Sequence, residues 1–132
     1  MNSNSIFVSF SHKDSELAKP ILNELGALKL NYWIDDHIEP GEAWVDTIED
    51  ALSEASVFVL LMSPDFVASE WSMYEMGHAI TAFKRTGAIL IPVIIKDVAV
   101  PKFAKNIRYL DATSMSARDI ANEIKLIIDR GR

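Results

Sequence analysis

The sequence predicts a three-layer α/β domain: a flavodoxin-like, doubly wound sheet of five parallel strands in the order 2-1-3-4-5, with helices on both faces. Three observations predict it. Short apolar runs alternate with segments of helical spacing, and strands separated by helices pair in parallel through right-handed crossovers. Two central runs, Val57 to Met62 and Ala88 to Ile95, are apolar without alternation, the pattern of strands covered on both faces. The chain has 132 residues, 49% hydrophobic and 24% charged, which suits one domain burying roughly two thirds of its unfolded surface.

Ile6 to Phe10 reads as the first strand. Leu17, Ile21, Leu22, Leu25 and Leu28 then recur at helical spacing over Asp14 to Leu28. Pro20 interrupts that pattern and is expected to kink or delay the helix, because it lacks an N–H. Leu30 to Ile34 is the second strand, and Asp35 to Ala43, holding Pro40 and Gly41, has loop chemistry. A helix is expected from about Trp44 to Glu54, followed by the third strand, Val57 to Met62. Ser63-Pro64 and Ser69 mark two successive helix starts, Pro64 at a first helical position, with the longer helix running from Glu70 to about Arg85. After the fourth strand, Ala88 to Ile95, come a loop to Asn106 and a short strand at Ile107 to Leu110. The last helix carries Ala117, Ile120, Ala121, Ile124, Ile127 and Ile128 on one stripe, opened by a Ser116-x-x-Asp119 capping box. No internal repeat or low-complexity stretch interrupts this single unit.

Composition excludes several function classes. The net charge is −6, without a run of Lys and Arg, so no nucleic-acid partner is expected, since that affinity comes largely from neutralising phosphates. The absence of cysteine removes disulfides, thiolate metal sites and cysteine nucleophiles, and fits a reducing compartment. The apolar runs fall far short of the roughly 20 residues of a spanning helix, and Met1 to Ser5 lacks a basic start for a signal peptide. The expected location is the cytoplasm, with no membrane partner.

In a doubly wound sheet, ligands bind beyond the carboxyl ends of the strands, at the switch point between the first and third. Three segments supply that crevice: Ser11-His12-Lys13-Asp14, Asp35 to Ala43, and Ser63 to Glu75. Ser9 to Ser15 holds no glycine and no GxxxxGK(S/T) occurs, against Rossmann or P-loop binding of phosphates. A phospho-receiver needs an acidic cluster after the first strand and a Lys after the last, and only Asp14 stands in the first place. Glu75-x-x-His78 is half of a di-iron signature without its second copy. His12, His37 and His78 lack the close spacing of a zinc set, so no metal site is expected. What remains is Trp71 and Glu75, four apart on one face of a helix that rises from the third strand. One reading makes Trp71 a core anchor and Glu75 a solvated charge. The other makes Trp71 a plate for a flat ring and Glu75 a carboxylate for sugar hydroxyls or an oxocarbenium-like transition state.

Ile6-Phe7-Val8-Ser9-Phe10-Ser11, Trp33-Ile34-Asp35-Asp36 leading to Pro40-Gly41, Val59-Leu60-Leu61-Met62-Ser63-Pro64 and Trp71-x-x-x-Glu75 resemble, in order and over nearly the whole chain, the successive boxes of a Toll/interleukin receptor (TIR) domain of the bacterial, NAD-cleaving kind. The resemblance implies that Asp35 to Ala43 is the BB loop, which in relatives mediates contacts between TIR domains. It implies that Glu75 is the catalytic residue of an NAD+ glycohydrolase or cyclase, releasing nicotinamide and leaving ADP-ribose or a cyclic isomer. NAD+ is then the substrate, and no cofactor is expected. By matching position Phe10, Ser11, His12, Lys13, Trp33, Asp36 and Trp71 line the substrate site, with Tyr74 flanking Glu75; Trp33 reads equally as a core residue and Tyr74 equally as a surface one. His12-Lys13 stands where enzyme relatives often carry an Arg or Lys pair for the pyrophosphate. The implied setting is antiviral defence signalling with self-association through the BB loop; the alternative is a non-catalytic interaction module or a mimic acting on host TIR adaptors.

Overall fold

The computed structural model describes residues 5–34, 53–99 and 107–131; for 70–72 the description covers the backbone alone. In chain order the elements are β1 (Ile6–Ser9), a 3-10 turn (His12–Asp14), α1 (Ser15–Ala27), β2 (Tyr32–Ile34), β3 (Val57–Met62), α2 (Pro64–Ala68), α3 (Glu70–Thr86), β4 (Ile89–Ile94), β5 (Leu110–Asp111) and α4 (Ala117–Arg130). The strands form one sheet in the order β2-β1-β3-β4-β5, and every pairing is parallel. This is the expected topology. The BB loop with Asp36, and all of the 44–54 helix except Ser53 and Glu54, lie outside the described residues; those two are helical.

Strand alternation builds a core on each face of the sheet. Ile6, Val8, Val57, Val59, Leu61, Ile91 and Val93 point to one side, where Leu22 and Leu25 of α1 and Ile120, Ile124 and Ile128 of α4 cover them. Phe7, Phe58, Leu60, Met62, Leu90 and Ile94 point to the other, against Phe66 of α2 and Met76 and Ala79 of α3. Every residue of β3 is fully buried, as its unbroken apolar run required. No helix among the described residues is long and apolar enough to cross a membrane.

Local chemistry sets the helix ends. Ser63 Oγ accepts from the Phe66 amide at 3.0 Å, with Pro64 at the first helical position. Ser116 Oγ accepts from the Asp119 amide at 3.1 Å. Replacing Ser116 by Ala removes that acceptor, and urea denaturation should record a loss of about 1 kcal/mol.

Several strand and helix ends fall within a residue of the expected ones; three features differ in an informative way. The helix α1 runs through Pro20; the ring and the Glu16 carbonyl that loses its donor sit on the exposed side, where water can replace the bond. The strand β2 starts at Tyr32 rather than Leu30, because Leu30 closes α1. Its amide donates to the Leu25 carbonyl at 3.1 Å and that of Lys29 to Gly26 at 2.9 Å, with Lys29 left-handed at φ 64°, a Schellman termination on a non-glycine residue. The strand β5 is shifted from 107–110 to Leu110–Asp111, where it pairs with Val93 and Ile94, while Ile107 packs into the α3-side core.

Candidate active site

Glu75 is carried inward by α3. Its neighbours on that stripe, Met76 and Ala79, belong to the core, and Glu75 is itself only 1% exposed. A buried carboxylate needs a compensating donor, because desolvating an isolated charge costs several kcal/mol. Ser9 provides one: its Oγ donates to Glu75 Oε1 at 2.5 Å. The bond links α3 to the last residue of β1, at the carboxyl edge of the sheet.

The pleat explains the meeting. Phe7 and Ser9 lie on one face of β1, two residues apart, and Phe7 belongs to the core beneath α3. Trp33 is the register partner of Phe7 on β2; their rings stack with centroids 5.2 Å apart and planes at 24°. The Ser9–Glu75 pair therefore stands one pleat repeat, about 6.6 Å, beyond an aromatic pair on the same face. Trp33 is half-buried and packs against the α3-side core.

The other expected site residues distribute as follows. Phe10 packs against the core on the α1 side of the sheet, away from Glu75, as the parity of Ile6, Val8 and Phe10 dictates. Ser11 is buried, and its Oγ accepts from the Lys13 amide at 3.2 Å to cap the 3-10 turn. His12 and Lys13 are exposed on that turn at the carboxyl edge, where Lys13 carries a positive charge. Tyr74 is 41% exposed; it is rotated about 100° around α3 from Glu75, with its ring 6.5 Å from that of His78. Trp71 sits on α3 one turn before Glu75, its side chain outside the description, and Asp36 falls outside the described residues. A cavity of about 660 Å³ opens at the amino end of β4, lined by Phe83, Ile89, Ile91, Tyr109 and Ile127 among others, and none of these site residues borders it.

A second polar cluster occupies the same edge. Asp14, 1% exposed, accepts from Ser63 Oγ, and Lys96 Nζ lies 3.1 Å from Asp14 Oδ1. This ties the start of α1 to the ends of β3 and β4. Neither Ser9 nor this cluster was singled out from sequence. The available signal was a polar residue at the carboxyl end of a strand that is otherwise covered on both faces, which holds for Ser9 and for Ser63 just beyond Met62.

Comparison with known proteins agrees with this architecture. A family model described as TIR domain matches residues 6–127. The chain is 25% identical over 135 aligned positions to the NAD(+) hydrolase TcpC of Escherichia coli O6:H1, covering 96% of this chain and 44% of that protein. It is 29% identical over 130 positions to the probable 2' cyclic ADP-D-ribose synthase TcpO of Methanobrevibacter olleyae, covering 95% and 38%. The chain thus spans less than half the length of these curated relatives. Among solved structures, the TIR domain of the Toll-related receptor TRR-2 of Hydra magnipapillata superposes with a TM-score of 0.75 at 18% identity, covering 96% of this chain and 99% of that one. The family model runs from the first residue of β1 into the last turns of α4: the chain belongs to the TIR domain family.

Proposed function

We propose that this TIR domain cleaves the N-glycosidic bond between nicotinamide and ribose in NAD+, with Glu75 as the acting carboxylate. The observation that carries the reading is the inward, hydrogen-bonded setting of Glu75 on the helix after β3, four residues beyond Trp71. The names of two relatives, an NAD(+) hydrolase and a probable cyclic ADP-D-ribose synthase, support the same chemistry.

In the reaction the bond from ribose C1′ to the pyridinium nitrogen breaks, and its electron pair goes to the ring. Nicotinamide leaves neutral because it was cationic, so no strong general acid is needed. Positive charge develops on C1′ and the ring oxygen, and a fixed carboxylate in a water-poor site stabilises it by several kcal/mol. Water attacking C1′ gives ADP-ribose and loses its proton to solvent; attack by the adenine or by a hydroxyl of the second ribose gives a cyclic product. Lys13 and His12 serve the pyrophosphate, Lys13 as a point charge without the bidentate fork of an Arg. Trp33 offers a flat face to a ring of the substrate.

The substrate site is completed when copies associate through the 35–43 loop. Purified protein, titrated to high concentration or crowded on a support with NAD+, should release nicotinamide at a rate per molecule that rises with density. Glu75→Ala should abolish the release. Equal rates in wild type and Glu75→Ala would sink the assignment and favour an interaction module.

A further inference from the structure

We infer that Ser9 is a positioning residue for Glu75: its hydroxyl holds the carboxylate in the orientation the glycosidic cleavage requires. The inference deepens the reading above and rests on it.

Ser9 is fully buried on a strand whose other members are Ile6, Phe7 and Val8. A hydroxyl there is costly unless it is hydrogen-bonded. Its single proton goes to Glu75 Oε1, as the charged carboxylate of the proposed reaction requires, since that form only accepts. The anchor is rigid. Ser9 stands in register with Leu60 of β3, and a serine has one side-chain torsion to its oxygen. Glu75 is the flexible member, with three torsions between backbone and carboxylate. Holding Oε1 against β1 restricts how the carboxylate can turn, and with it where Oε2 can lie. Ser9 is fully buried and acts through the carboxylate, without needing to touch substrate. Its effect is on geometry at the reacting carbon, where a displacement of about 1 Å can cost on the order of 100-fold in rate.

The test is steady-state nicotinamide release over a range of NAD+ concentrations by wild type, Glu75→Ala, Ser9→Ala, Ser9→Cys and Ser9→Thr, each checked for a native melting transition. Ser9→Ala should lower kcat by roughly 10- to 100-fold with KM within about threefold, the pattern of an interaction felt in the transition state. Ser9→Thr restores the donor and should recover most of kcat; Ser9→Cys, similar in shape with a weak donor, should fall between. A purely structural serine would not follow donor strength in this way. Wild-type kcat in Ser9→Ala beside a dead Glu75→Ala would overturn the positioning role and leave the proposed reaction standing. So would a folded Ser9→Thr as slow as Ser9→Ala, or a loss confined to KM. No release from wild type at any density would overturn both together.

Discussion

A Glu75→Gln protein should melt within a few degrees of wild type and release nicotinamide at least two orders of magnitude more slowly. The amide keeps the shape of the carboxylate, and its oxygen still accepts from Ser9 Oγ, so the link between α3 and β1 survives. Two further terms oppose one another in stability: the substitution relieves the desolvation of a buried charge, and it introduces an N–H group that needs an acceptor, at a cost of about 1 to 3 kcal/mol. The rate has no such compensation. A full negative charge about 4 Å from a developing positive one is worth about 4 kcal/mol at an effective dielectric constant of 20, about 1000-fold in rate. Initial rates at saturating NAD+, with circular dichroism melting on the same samples, check both halves. A glutamine variant retaining most of the wild-type rate would remove charge stabilisation from the mechanism and leave Glu75 only a steric or hydrogen-bonding part.

The sheet was legible in the sequence because its signals are local or periodic. Val57 to Met62 cannot be solvated on either face, and Ser63-Pro64 and Ser116-x-x-Asp119 carry their own capping chemistry. The misplaced ends of β2 and β5 were set by tertiary choices instead. Leu30, apolar and strand-like, is used to terminate α1, and β5 forms only where the chain returns beside Val93 and Ile94. The candidate site divides in the same way. The four-residue spacing of Trp71 and Glu75 put both on one helix face, but a glutamate on a helix is by default a solvated charge. Its buried carboxylate is bonded to Ser9, 66 positions away, and no periodicity expresses that bond. Phe10, one residue past the end of β1, packs partly against the α1-side core, a contact that its motif position does not express.

The pair Asp14–Lys96 should behave as a coupled unit, Asp14→Ala lowering stability by about 2 to 3 kcal/mol and the melting temperature by roughly 5 to 15 °C. The Asp14 side chain is fully enclosed, whereas that of Lys96 is 45% exposed. Removing Asp14 forfeits a charge-assisted bond from Ser63 and the ion pair, but strands no buried charge. Ser63 still accepts from the Phe66 amide, and the lysine turns to water. Removing Lys96 works differently. A half-exposed surface lysine is ordinarily worth less than 1 kcal/mol, yet Lys96→Met leaves the enclosed Asp14 with Ser63 as its donor and its charge uncompensated. It should therefore cost about 2 kcal/mol alone and almost nothing in the Asp14→Ala background, a coupling in the upper part of the 0.5 to 3 kcal/mol range for contacting residues. The coupling should also weaken little between low and moderate salt, because an enclosed partner is poorly screened. Urea unfolding of the two single variants and the double variant measures it directly. Additive losses would mean that Lys96 is held by water rather than by Asp14, and that Ser63 alone anchors the start of α1 to the end of β3.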